Sequence, residues 1–97
     1  MSDPLKQMRI YDNDGRTFDR YTVVFMDLQE CRKGQFRCLC MSDNPTHPQG
    51  FCEHSTAVPG THLGRRIKFN LLPEACQKMV KIDRPDLFNE EDHHVPT

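Results

Sequence analysis

No apolar run in the chain approaches the roughly 18 residues that a membrane-spanning helix requires. Met1 to Gln7 holds no apolar core of the kind that opens a secretory signal, so a cytoplasmic setting is expected. The P-loop, G-x-G-x-x-G, H-E-x-x-H and G-x-S-x-G patterns are missing, and no predicted helix carries paired carboxylates. There is no internal repeat and no low-complexity tract. A strong basic excess is also lacking: 13 Lys and Arg stand against 14 Asp and Glu, for a net charge of −1. That balance argues against a dedicated duplex-DNA binder.

What is present describes one small domain. The 97 residues suffice for a modest core. Hydrophobic content is 36% and mean hydropathy −0.73, polar but with enough apolar alternation to exclude wholesale disorder. The charge is uneven. Residues 1–30 hold four basic and six acidic side chains, residues 31–70 six and two, and residues 71–97 three and six. A basic middle could face an acidic partner, or simply be part of a mixed solvated surface. The five cysteines (31, 38, 40, 52 and 76) are odd in number, and free thiols in a reducing compartment are expected.

The strand signals are clear in the first half. Residues 7–11 read as a first strand, and Asp12-Asn13-Asp14-Gly15 as a turn. Placing Gly15 as the sixth residue of a calcium loop puts Ile10 first, which fails as a ligand. Residues 20–26 are dense in β-branched and aromatic side chains and predict a central strand. Tyr21, Val23 and Phe25 share one face, and Thr22, Val24 and Met26 the other. Residues 27–34 read as a loop and 35–41 as a third strand, completing an antiparallel meander. Residues 65–69 suggest another short strand. Pro73 and Glu74 open a helix whose apolar face is Leu72, Cys76, Met79 and Val80, ending before Pro85. The expected fold is α+β: a small, twisted, mainly antiparallel sheet of four or five strands with one C-terminal helix. Residues 1–85 form the domain, and 86–97 read as a mobile acidic tail.

Residues 42–64 carry the most unusual composition, with three prolines, three glycines and three histidines. Long loops in compact domains are often functional. The residues before Pro45 and Pro48 are held extended or in turns, so Asn44, His47 and Gln49 are candidates for display to a partner. The alternative is a structural loop over the sheet edge, with Phe51 plugging the core. His62, Arg65 and Arg66 form a second candidate, for an anion, or else a basic strand edge. Cys38, Cys40, Cys52 and His54 could ligate zinc as C-x-C and C-x-H separated by eleven residues. Against this, Cys38 and Cys40 share a strand face with Phe36 and would serve equally as small core residues. Cys31, beside Arg32 and Lys33, is the thiol placed for activation. Tyr11, Tyr21 and Phe36 could stack single-stranded nucleic acid on an open sheet, or fill a core. His93 and His94 read as tail residues.

Residues Tyr11 to Val24 (YDNDGRTFDRYTVV), Met41-Ser42-Asp43-Asn44-Pro45, Pro48-Gln49-Gly50-Phe51, His62-Leu63-Gly64-Arg65-Arg66-Ile67 and Leu72-Pro73-Glu74 together resemble small proteins of bacteriophages and bacterial genomes that have no settled activity. The resemblance covers about residues 9–82. It implies a bacterial or phage-infected host cytoplasm and says nothing of chemistry. The expected function is a non-enzymatic binding module that contacts a protein or nucleic acid through the loop at 42–64. A zinc-stabilised domain and a small enzyme using His47, His54 or His62 are the alternatives. An exposed strand edge could also pair two copies into a homodimer.

Overall fold

A computed structural model of the protein describes residues 4–88. It contains five strands: β1 (Met8–Asp12), β2 (Tyr21–Gln29), β3 (Phe36–Met41), β4 (Cys52–Ala57) and β5 (Arg65–Ile67). One helix, α1 (Glu74–Asp83), follows. The strands form a single open antiparallel sheet in the order β4-β3-β2-β1-β5. This is the expected α+β architecture, with five strands.

The central strand is the one with the densest apolar sequence. In β2, Tyr21 to Phe25 are buried on both sides, as expected where both faces are covered. The strand outlasts its sequence signal. It runs to Gln29, which pairs with Phe36 after a register shift beyond Val24. The loop expected at 27–34 thus contracts to a tight connection. Glu30 N–H donates to Gln35 O at 2.8 Å, and Gly34 takes a left-handed φ of 82°.

β4 lies inside the segment expected to be a long loop. Its sequence, Cys-Glu-His-Ser-Thr-Ala, has no apolar alternation because it is an edge strand with an exposed middle. The prolines and glycines of this segment fall on either side of it. Pro45, Pro48 and Gly50 precede it, and Pro59, Gly60 and Gly64 follow.

The two sheet faces are covered differently. On one, Met8, Ile10, Tyr21, Val23, Phe25, Leu39 and Met41 pack against Leu72, Cys76, Val80 and Leu87. Leu72, Cys76 and Val80 were three of the four residues predicted for the apolar face; Met79 is half-buried at its margin. The opposite face holds Tyr11, Val24 and Cys38, with Met26, Phe36, Cys40, Ala57 and Leu63 around them. No helix covers it. Residues 58–64 lead from β4 at one edge to β5 at the other, about 19 Å away at ~4.8 Å per strand step, and Leu63 of this strap packs on the cluster. At its far end Gly64 has φ 120°, and a β-carbon there would collide with the Asp12 carbonyl oxygen.

Two buried charge clusters fasten the edges of this arrangement. Asp12, 3% exposed, accepts Arg20 Nε at 2.7 Å and Arg20 Nη2 at 3.1 Å, Arg65 Nη2 at 3.2 Å and the Asp14 N–H at 2.8 Å. Arg84 is buried just past α1. It donates twice to Asp27 at 2.6 and 3.1 Å and twice to Asp86 at 2.8 and 3.0 Å, with its guanidinium 4.9 Å from the centre of the Phe25 ring. Because Asp86 holds Arg84 and Leu87 enters the core, the packed body continues to the last described residues. The remainder of the proposed tail, 89–97, lies outside the described residues.

The Arg20 hydrogen bonds hold the Asp12 carboxyl below its ordinary pKa, aided by the Asp14 N–H and Arg65 and opposed by burial. The ionised form therefore stabilises the fold. Its contribution is complete above the unfolded-chain value of about 3.9 and is lost as pH falls through the lower folded value. Asp12→Ala is expected to cost about 2–3 kcal/mol, less than a fully buried pair because both arginines keep contact with water. Denaturant melts between pH 7 and pH 2.5 check this: the variant should have a shallower acid limb as well as lower stability at neutral pH.

Candidate binding surface

The connections β1–β2 and β3–β4 emerge at the same end of the sheet, where Asp12 pairs with Tyr21 and Tyr21 with Met41. The first is tied by Asn13, whose Oδ1 accepts the N–H groups of Gly15 and Arg16 at 2.9 and 3.0 Å. Its Nδ2 donates to Thr17 Oγ1 at 2.7 Å, and Thr17 donates to Asp19 Oδ1 at 2.6 Å. Asp14 sits in the left-handed region at φ 61°, which an Asp tolerates better than most residues.

The second connection, residues 42–51, is fixed from within. Ser42 N–H donates to Phe51 O, and Ser42 Oγ accepts Phe51 N–H, both at 2.9 Å. Cys76 of α1 donates its thiol to Ser42 O at 3.2 Å. His47 N–H donates to Asn44 O and Gly50 N–H to His47 O. Gly50 lies so close to the Asn44 carbonyl that no side chain fits there. Gln49 N–H donates to His47 Nδ1 at 3.0 Å, so the neutral imidazole carries its proton on Nε2. Asn44, His47 and Gln49 are all exposed, on a loop whose backbone is tied by internal hydrogen bonds.

Between the two connections lies a hollow of about 460 Å³, lined by Gly15, Arg16, Thr17, Phe18, Arg20 and Asp43. Phe18 is 65% exposed, and its ring meets Phe51 edge-on at 6.3 Å. Phe18 has no role that periodicity or motif spacing makes legible. The signal was an aromatic residue stranded among polar residues between a turn and the strand that follows it.

The six residues proposed for binding do not form one site. His62 lies in the 3-10 turn Thr61–Leu63 of the strap. Arg65 is occupied by Asp12 and by Asp14 at 3.4 Å. The Arg66 guanidinium lies 6.0 Å from the Tyr11 ring centre. These three belong to the strap and β5, apart from Asn44, His47 and Gln49.

The proposed zinc ligands are also divided. Cys52 and His54 pair with Met41 and Leu39, on the helix side of the sheet, whereas Cys38 and Cys40 pair with Ser55 and Glu53, on the strap side. A sheet thus separates the two halves of the set, so the four cannot surround one ion. Among the described residues, no three His, Cys, Asp or Glu side chains gather as a metal site. Cys38 and Cys40 instead face each other with Sγ atoms 3.9 Å apart. Their contact pushes the Cys38 thiol up, reinforced by burial, and pulls Cys40 down. Burial raises Cys76 to about 12. Cys31, by contrast, is exposed.

The three histidines weighed for catalysis lie on separate segments: His47 in the 42–51 loop, His54 on β4 and His62 in the strap. His54 Nε2 lies 2.6 Å from Asp83 Oδ1, linking β4 to the last residue of α1, with the imidazole half-exposed. The proposed stacking platform is closed as well: Tyr11 and Tyr21 are 3% and 6% exposed, and Phe36 is half-buried in the strap-side cluster. Among the described residues, no helix is long and apolar enough to cross a membrane.

A scan against protein-family models finds no match to this chain, and searches of curated proteins and of solved structures find none either.

Thiol labelling of the native protein is expected to modify Cys31 first. Cys38 and Cys76 should react only at the rate of unfolding, because the buried thiols are protonated and inaccessible. Site-resolved mass spectrometry after a short pulse of iodoacetamide distinguishes them; early labelling of Cys38 would contradict this packing. A metal chelator should leave the melting temperature unchanged.

Proposed function

We propose that the protein is a non-enzymatic binding module that takes a protein partner at the end of the sheet formed by residues 13–20 and 42–51. The observation that carries this reading is an exposed aromatic, Phe18, set between Arg16 and an internally bonded loop displaying His47 and Gln49. Aromatic and arginine side chains dominate the energetics of protein interfaces. An ordered loop loses little conformational freedom on binding. A protein partner is favoured over nucleic acid because the sheet aromatics that would stack bases are buried. The resemblance to phage and bacterial proteins supports a bacterial or phage-infected host cytoplasm as the setting, and five free thiols fit a reducing compartment.

The test uses immobilised full chain and a bacterial lysate, with bound proteins quantified by mass spectrometry. A specific partner should bind the wild type and a Lys33→Ala control in the β2–β3 connection, at the other end of the sheet. Phe18→Ala, and separately His47→Ala with Gln49→Ala, should lower capture at least about tenfold, the effect of losing one interface hot spot. Melting temperatures should stay within about 2 °C, since surface substitutions cost little. Equal capture by all variants, or capture that nuclease abolishes, would refute this reading.

A further inference from the structure

Cys38 and Cys40 stand two residues apart on β3, so both side chains point to the strap side of the sheet. Their Sγ atoms are 3.9 Å apart. The strap crosses this side diagonally, from Ala57 opposite Phe36 to Arg65 opposite Asp12. That path leaves open the corner beside Glu53, which pairs with Cys40. Cys38 is accordingly buried in the strap-side cluster, and Cys40 half-buried at its margin. The pair is poorly placed for a disulfide. Strand residues two apart lie about 6.8 Å between Cα atoms, the upper limit for such a bond, and the sulfurs would have to close to ~2.05 Å.

The same spacing suits a shared ion. With metal–sulfur bonds of about 2.3 Å, an ion bound to both sulfurs across 3.9 Å subtends an angle of about 116°. That is close to the angle of a trigonal site, with its third place toward the open corner. Zinc in a structural site takes four protein ligands, and among the described residues no third His, Cys, Asp or Glu joins these two as a metal site. Soft thiolates select Cu(I), which accepts fewer ligands than zinc. The surroundings favour a cation as well. The contact with Cys38 pulls the Cys40 thiol down, opposed by burial and by the Asp19 and Glu53 carboxylates and helped by the Thr22 side chain. The outer sulfur is thus the readier thiolate, and two carboxylates act on it.

We propose that Cys38 and Cys40 together bind one Cu(I) ion, with a small external thiol such as glutathione as the third ligand. The ion bonds first to the half-exposed Cys40 sulfur and then to Cys38. Each protonated thiol yields its proton to solvent as its sulfur–copper bond forms. Copper stays in the +1 state throughout, so no electron is exchanged. The fold does not depend on the ion, because both side chains already pack in the strap-side cluster without it. Neither cysteine belongs to the surface proposed for partner binding, and the inference stands or falls independently of it.

Anaerobic titration of the reduced full chain against the coloured Cu(I)–bicinchoninate complex tests it. The wild type, Cys31→Ser and Cys52→Ser should each withdraw one Cu(I) per chain. Cys38→Ser and Cys40→Ser should bind at least about a hundredfold more weakly, beyond the ~10–100-fold cost of losing an outer partner of a metal ligand. A second measurement needs no variant. One equivalent of Cu(I) should slow iodoacetamide labelling of Cys40 in the wild type at least about tenfold and leave Cys31 unchanged. X-ray absorption of the copper-loaded chain with glutathione present should show sulfur neighbours alone, at about 2.3 Å. Wild-type affinity in Cys40→Ser, loss of binding in Cys31→Ser or Cys52→Ser, or slowed labelling of Cys31 would overturn the proposal. So would nitrogen in the copper shell, one ion per two chains, or Zn(II) held as tightly by the same pair.

Discussion

Asp12 is the charge on which the sheet edge depends. It closes β1, neutralises the arginine that opens β2 and neutralises the one that opens β5. Burying a carboxylate is costly unless its lone pairs are satisfied, and here two guanidinium groups and one backbone N–H satisfy them. The cluster does more than hold three strands together. It fixes where β5 docks, since a three-residue strand contributes little pairing of its own. Gly64 completes the joint by bringing the strap against the Asp12 backbone, where any larger residue would push β5 away.

The strap explains why this small sheet can bury both faces with one helix. The order β4-β3-β2-β1-β5 puts consecutive strands β4 and β5 at opposite edges. Their connection has to cross the sheet, and it does so on the side that α1 leaves open. Cys38, Val24 and Tyr11 are buried beneath that side without any second helical layer. The cysteines that look like metal ligands in the sequence are therefore packing residues in part. Cys38 serves the strap-side cluster, and Cys76 the helix-side core and the Ser42 carbonyl.

Much of this was legible in the sequence where periodicity was strong. The central position of β2, the division of its side chains between two faces, and the helix beginning at Pro73 follow from apolar spacing alone. β4 was not legible because an exposed edge strand has no apolar face to show: Glu53, His54, Ser55 and Thr56 read as loop residues. Without a strand signal at β4 the direction of Cys52 and His54 is open in the sequence, because a ligand pair on a loop can turn in either direction whereas one on a strand cannot. Arg20 illustrates a different limit. Its adjacency to Asp19 suggested a local ion pair, but its partner is Asp12, eight residues away and brought close by the hairpin. The candidate surface was half legible. Proline and glycine marked the 42–51 loop, while Phe18 emerged only when the two connections met at one end.

The pairing of charges also decides what the surface can offer. The basic excess of residues 31–70 suggests a cationic patch, but the fold disperses it. Arg65 is held by Asp12 and Asp14, and Arg37 lies 3.8 Å from Glu30. Arg20 and Arg84, from the acidic ends of the chain, are likewise taken by carboxylates. Arg32, Lys33, Arg66 and Lys68 make no ion pair among the described residues. Where positive charge stays available therefore follows from which cations found internal partners, and the net charge of −1 does not indicate it.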